Sequence, residues 1–480
     1  MFVARQKVKR SQAYYYRIIM IVTFVLSIIT DWYDPLIFLL TGTLLLFFLD
    51  KLGKGIVLRE LIAFHFCFIC LVMPWIGYRW YTIANPLARI WVRYMPVNEQ
   101  VYFAFALPAV AAFTVALCWP IKKNHVDDEG EFTFKHINRI KAVLENKNQI
   151  GKHILFIGLI SSIVTPFLPV SFQFVGNLLA WSSFSGILYI YFTHNLKYRG
   201  IILAAFVLLL LEQAVRQGMF TIVAYMGLTI FSFLFLKKKS PMWKKLGIFI
   251  LSSFMLILVQ SVKSNFRQLT WYGSYSGNKT ALFADLLSEK LGNGFFNLFT
   301  PETFFPLYYR ANQGYNIGLV MRRIPAIQDF DNGSKLAIDL ASSLAPRFLW
   351  TDKPTAGGKY NMKYFTGLTI IGYSTDVGPV GEAYGSFGVT GGIIYMFVLG
   401  LFVRWAYLLV FKISRKIPLL ILWIPVIFFQ VTYSAENDTL QILNSLTKGA
   451  FLIYILYKTA PGLFGEGRQF AKRKQSVVPA

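Results

Sequence analysis

Residues 200–236 form an apolar run of about 37 positions whose only charges are Glu212 and Arg216. As a single helix the run would be roughly 55 Å long at 1.5 Å per residue, whereas a bilayer core is only ~30 Å thick. Lys197 and Arg199 precede it, and Lys237, Lys238 and Lys239 follow it. Basic loops stay on the cytoplasmic side, so both ends are expected inside and the run is expected to be a helical hairpin with its outer tip at 212–218. The same alternation of apolar stretch and polar connection recurs along the 480 residues. Further spans are predicted at 17–31, 34–50, 60–78, 100–120, 153–170, 173–193, 246–262, 386–411, 418–434 and 439–457. With 200–214 and 217–236 they make about twelve.

Composition excludes the soluble classes. Hydrophobic residues make up 55% of the chain and charged residues 15%, where a soluble domain carries nearer a quarter charged residues. The net charge of +25 does not require nucleic acid. About 30 of the 48 basic residues fall in the N-terminal segment, 51–59, 121–152, 194–199, 237–245, 412–416 and the tail, all cytoplasmic in this topology. Cys67, Cys70 and Cys118 sit inside spans, which supports neither a disulfide framework nor a zinc site. The first span lacks a cleavage site and reads as an uncleaved helix. The expected fold is an all-α polytopic membrane protein. Its parts are an N-terminal bundle (1–262), a long extracytoplasmic loop (263–385) with short helices such as 280–291 and 335–344, C-terminal membrane helices (386–457) and a cytoplasmic tail (458–480). Both termini are cytoplasmic.

Ionisable residues at the outer face are functional candidates by default. Glu212 and Arg216 are the first, although an i,i+4 ion pair that caps the turn fits equally. Residues 79–99 interleave Trp, Tyr and Arg as an interfacial helix does, with Arg89 and Arg93 on one face as snorkelling anchors. Inside, 124–150 reads as a surface loop with a short amphipathic helix. The late outer turn SAENDT (434–439) brings Glu436 and Asp438 to the outer surface as ordinary loop polarity.

The most distinctive stretch is 345–392, where PRFLWTDKP (346–354) is followed by GPVGEAYGSFGVTGG (378–392) at the mouth of a predicted span. With about twelve spans, an Arg-bearing outer hairpin and one long late outer loop, it resembles the O-antigen polymerase (Wzy) family, the oligosaccharide repeat-unit polymerases. That family has an Arg, ten residues and then Gly in two outer loops. Arg216 with Gly227, Arg322 with Gly333 and Arg347 with Gly358 all meet this spacing. The resemblance implies polymerisation of undecaprenyl-pyrophosphate-linked repeat units into a surface polysaccharide (O-antigen, capsule or exopolysaccharide) on the outer face of the bacterial cytoplasmic (inner) membrane. It also implies a chain-length-regulating co-polymerase as partner, besides the lipid-linked glycans and membrane lipids.

That reaction needs cations for a departing diphosphate and a carboxylate for the acceptor proton. Arginine's planar fork suits phosphate oxygens, and a preorganised donor at developing charge lowers a barrier by roughly 2.7–4 kcal/mol. Arg216, Arg322, Arg323 and Arg347 are the candidates. For the base, within hydrogen-bond reach of its proton, they are Glu382, Asp352, Asp376 and Glu212. Lys353 and Tyr384 lie in the same stretch as substrate-binding candidates. Each has a structural alternative. Arg347 can pair with Asp352 to stiffen a turn, Arg322 and Arg323 can form a solvated face, and Glu382 can cap the following helix. Gly385, Gly388 and Gly391 read as close helix packing.

An O-antigen ligase shares the topology and donor but relies on a histidine in the long outer loop, and none of the five histidines lies in 263–385. A polyprenyl-linked-sugar glycosyltransferase would use acidic residues in the first outer loop, where DWYDP (31–35) offers Asp31 and Asp34. A lipid-linked oligosaccharide flippase fits twelve spans but leaves the long loop unexplained. No P-loop or glycine fingerprint indicates a nucleotide cofactor, and no ligand spacing indicates a metal.

Overall fold

Inside a bilayer each backbone N–H and C=O must be paired within the protein, which favours helices wherever an apolar stretch crosses. A computed structural model describes residues 12–119, 131–145, 147, 149–217, 221–236, 240–273, 275–292, 300–345, 349–350, 352–354, 357–371 and 375–465. These are all-helical apart from an isolated bridge between Leu52 and Gly55. The helices are α1 (Gln12–Ile29), α2 (Tyr33–Lys51), α3 (Leu58–Trp80, with a π-turn at Phe68–Val72), α4 (Glu99–Leu117), α5 (Glu131–Glu145), α6 (Ile150–Phe167) and α7 (Val170–Phe192). Then come α8 (Arg199–Gln217), α9 (Thr221–Leu234) and α10 (Met242–Arg267, continued by a π-turn at Gln268–Tyr272). Five shorter helices follow: α11 (Lys279–Gly292), α12 (Pro301–Ala311), α13 (Gln313–Arg323), α14 (Ser334–Leu344) and α15 (Gly358–Thr366). The last two are α16 (Gly378–Ser414) and α17 (Thr439–Thr459). Among the described residues nine helices, α1–α4, α6, α7, α10, α16 and α17, are long and apolar enough to cross a membrane. The chain is therefore a polytopic α-helical membrane protein.

The three remaining predicted spans differ from simple crossings. The 200–236 run divides into α8 and α9, which touch each other. Helix α8 continues through Glu212 and Arg216 to Gln217, so these charges belong to the last turns of a helix rather than to a tip loop. Residues 418–434 do not form one helix. Pro418 and Pro425 each lack a backbone donor, and the segment alternates 3₁₀ turns (Pro418–Trp423, Ser434–Glu436) with short α pieces (Ile424–Ile427, Phe429–Thr432). It is almost wholly buried and runs back along the length of α17. At one end Trp423 stacks on Phe464, midway the Ser445 hydroxyl donates to the Ile427 carbonyl (3.0 Å), and at the other end Glu436 adjoins Thr439.

Two boundaries also move. Helix α10 passes the expected end at 262, and α16 starts at Gly378, eight residues before the expected 386. The segment between them carries α11–α15 and lies against the ends of the apolar helices. Gly314 of α13 abuts Pro74 of α3 and Tyr102 of α4, and α14 packs on α17. The predicted interfacial helix over 79–99 is reduced to Pro86–Ile90, capped by the Asn85 side chain. Arg93 lies beyond it, its guanidinium between the rings of Tyr309 (4.1 Å) and Tyr315 (4.5 Å), so Arg89 and Arg93 do not share a helical face.

Helix α16 is bent at Gly388, whose φ of 68° and ψ of −157° fall in a region essentially restricted to glycine. The bend sets the first turns of α16, which carry Glu382, at an angle to the remainder, while Gly385 lets the Phe365 ring close against them. Gly388→Ala is expected to destabilise the fold by about 1–3 kcal/mol, read as a lower melting temperature in detergent; an unchanged melting temperature would show that the bend is not needed.

Candidate functional site

The N-terminal ends of α16 and α17 meet, and a buried polar cluster forms at the junction. Asp438 is the N-cap of α17, its carboxylate accepting from the Gln441 N–H (2.5 Å) and from the Gly357 N–H (2.9 Å). Glu382 joins the helices, since its Oε2 accepts from both the backbone N–H (2.9 Å) and the hydroxyl (2.5 Å) of Thr439. Its Oε1 accepts from Asn361 of α15 (2.8 Å) and from Lys335 of α14 (3.4 Å). Lys335 also donates to Asp339, one turn further along α14, at 2.5 Å. Gln313 and Asn316 of α13 donate to the Asp376 carbonyl (2.8 and 2.7 Å), which turns the Asp376 carboxylate inward. There it accepts from the Val377 N–H (2.7 Å) and from Gln441 Nε2 (3.3 Å).

Asp339 and Glu382 thus pair with the ammonium of Lys335, Asp438 lies within its electrostatic reach, Asp376 adjoins Glu382 and Asp438, and none of the five residues is more than 5% exposed. Burial and like charge both disfavour ionised carboxylates. Burial, with Asp438 and Glu382 close by, holds Asp376 well above the usual carboxylate range. Burial and then Glu382 push Asp438 up to about 6. Burial also raises Asp339 to about 6 against the pull of Lys335. For Lys335 burial works against the charge, but Glu382 and Asp339 outweigh it and raise the ammonium above its ordinary value. A cavity of about 10 Å³, close to the room one water needs, lies between Lys335, Asp339, Glu382, Ser386 and Tyr395. The Oδ1 atom of Asp339 is buried beside it without a hydrogen-bond partner among the described residues. A buried carboxylate whose pKa is raised, with one oxygen unpaired among the described residues and a small cavity beside it, is equipped to take or give a proton.

The predicted site residues divide. Glu382 and Asp376 belong to the cluster, and Tyr384 lies beside it, its buried ring edge-on to Phe105 and Phe330. Lys353 is buried elsewhere, donating to the Ser342 and Ala345 carbonyls (2.9 and 2.7 Å) at the C-terminus of α14. Asp352 is exposed. Arg322 and Arg323 occupy the last turn of α13, Arg322 exposed and Arg323 donating to Gln328 (3.2 Å). Glu212 is half-buried on α8, the side chain of Arg216 is not among the described parts of the chain, and Arg347 lies outside the described residues. Sequence reasoning missed Lys335, Asp339 and the role of Asp438. The only signal for the first two was their i,i+4 spacing on an amphipathic helix. Glu436, read as loop polarity, is nearly buried and paired with Arg310 (2.5 Å). Among the described residues no group of three or more His, Cys, Asp or Glu side chains is arranged to hold a metal ion.

Fold and site together define a polytopic helical membrane protein with a buried acid–lysine cluster where two apolar helices begin. The chain belongs to the family described as Domain of unknown function (DUF8712), whose model matches residues 132–409, more than half of the chain. The match takes in Lys335, Asp339, Asp376 and Glu382 but ends before Asp438. No curated protein and no solved structure matches the chain.

Because the Asp339 pKa is raised in the folded state, its protonation favours folding. That contribution is present at low pH and is lost as pH rises through about 6. Asp339→Asn removes it. Relative to the wild type, the variant is expected to melt comparatively higher at about pH 7.5 than at about pH 5; a constant offset across scanning-fluorimetry pH series would rule this out.

Proposed function

We propose that the protein is a glycosyltransferase that polymerises undecaprenyl-pyrophosphate-linked oligosaccharide repeat units on the outer face of the cytoplasmic membrane. The observation that carries this reading is the buried cluster around Glu382, in which Asp339 keeps one oxygen unpaired among the described residues and lines a cavity of about 10 Å³. The resemblance of 345–392 to repeat-unit polymerases falls on the same elements. Basic residues stand at the far ends of both helices, Lys412 and Arg415 at α16 and Lys458 on α17, which supports an extracytoplasmic position for the cluster. In this topology α8, α9 and the 418–436 return path bring the nine helices to about twelve crossings, and 273–377 faces outward.

The step is a substitution at an anomeric carbon. The acceptor hydroxyl oxygen bonds to that carbon as its bond to the diphosphate breaks, and the bonding pair leaves with the diphosphate. The hydroxyl proton passes to a carboxylate. Both oxygens of Glu382 are already engaged by donors, whereas Asp339 retains one unpaired among the described residues. Asp339 is therefore assigned the proton, and Glu382 the positioning of Lys335 and α17. Arg216 and Arg347 remain candidates for the diphosphate.

Purified protein in nanodiscs, incubated with an undecaprenyl-diphosphate-linked repeat unit, is expected to produce a glycan ladder. Asp339→Asn should slow the ladder by about 10²–10⁴-fold, the usual contribution of a general base, with the protein still folded. Glu382→Gln sets an amide donor against existing donors and should lower melting temperature and activity together. Arg216→Ala is expected to abolish long chains, with Arg216→Lys retaining part. The reading fails if the wild type yields no ladder, or only moves unpolymerised repeats across a bilayer.

A further inference from the structure

Two residues before Asp438, the chain enters a second charged cluster, this one rich in basic side chains. Glu436 is paired with Arg310 of α12 (2.5 Å) and lies 3.6 Å from His65 of α3. Burial works against its charge, but Arg310 and His65 outweigh it and hold the carboxyl down at about 2. Lys263 and Arg267 stand one turn apart on α10, which packs on α12. The Lys263 ammonium lies within electrostatic reach of Arg267, Arg310 and Glu436. Lys263 is only 9% exposed, yet it makes no hydrogen bond and no ion pair among the described residues. A largely buried lysine beside two guanidiniums is costly to charge, and an added anion relieves it. Lys263 thus stands near two guanidiniums and one carboxylate. The cluster is open to the surface, since the Arg310 side chain is 41% exposed and the Arg267 guanidinium stacks 4.1 Å from the ring of the exposed Trp271. A tryptophan at the end of an apolar helix marks the membrane–water border, which is where a lipid-borne phosphate would lie.

We infer that Lys263, Arg267 and Arg310 form a binding site for the diphosphate of a polyprenyl-linked ligand, with Glu436 holding Arg310 in place and itself flanked by His65. The inference rests on the polymerase reading for the identity of the lipid carrier, while the anion site itself rests on the buried charge. Glu436 and Asp438 are separated by two residues, at most about 7 Å of chain, so a diphosphate held here would carry its sugar toward the acid cluster.

Binding is tested with the full chain in phosphatidylcholine nanodiscs, using farnesyl diphosphate, inorganic pyrophosphate and phosphatidylglycerol as separate probes. Farnesyl diphosphate is expected to bind saturably and to weaken about tenfold or more in Lys263→Met and in Arg310→Ala, with Lys263→Arg restoring it. Melting temperatures establish that each variant is folded. Equal affinity for inorganic pyrophosphate, or saturation by phosphatidylglycerol alone, overturns the lipid-carrier assignment, and farnesyl diphosphate affinity unchanged in Lys263→Met overturns the site. Farnesyl diphosphate binding without any glycan ladder would sink the polymerase reading and leave the site standing. Ladders at the wild-type rate in Lys263→Met would do the reverse.

Discussion

The hydrogen bonds from Thr439 to the Glu382 carboxylate tie the start of one apolar helix to the start of another, and much of the described architecture depends on that contact. Through its second oxygen the same carboxylate neutralises Lys335, whose remaining partner is Asp339. Removing one partner of a buried ion pair costs about 3–5 kcal/mol because the other charge is left uncompensated. Glu382 is therefore connected at once to α14, α15 and α17, and those helices in turn fix the loop that carries Asp376. Placing acidic groups at the positive end of a helix offsets part of the cost of burying them.

The apolar helices were legible because lipid imposes length and composition on any segment that crosses it. The 200–236 run could be divided from its flanking lysines alone, and α11 and α14 were visible as short amphipathic patterns. Residues 418–434 were not read correctly, since an apolar composition is equally compatible with one helix and with a chain of short turns. The two prolines were the available warning. Glu382 and Asp376 could be singled out because they are carboxylates in the distinctive stretch 345–392, expected on the outer side. Lys335 and Asp339 could not, because an i,i+4 pair on an amphipathic helix looks like an exposed ion pair until another helix covers it.

Lysines were the least legible residues. Lys353, a predicted substrate contact, donates to carbonyls at the end of α14, and Lys245 does the same at the end of α2, reaching the Leu49 and Leu52 carbonyls at 2.8 and 2.6 Å. A long side chain with three donors satisfies the free carbonyls of a helix C-terminus from a distance that sequence does not reveal. Lys335 and Lys263 look no different in the sequence, yet one sits among carboxylates and the other among cations. The contrast arises from tertiary placement, which local pattern does not encode.

The broken path from Pro418 to Glu436 bears on how the protein is made. A regular helix pairs its own backbone and can enter lipid alone, but this stretch relies on neighbours, with the Gln430 carbonyl taking a donor from Asn437 and that of Ile427 from Ser445. Unpaired carbonyls are not tolerated against acyl chains. The irregular stretch therefore depends on α16 and α17 already lying against it, which a regular helix in the same place would not.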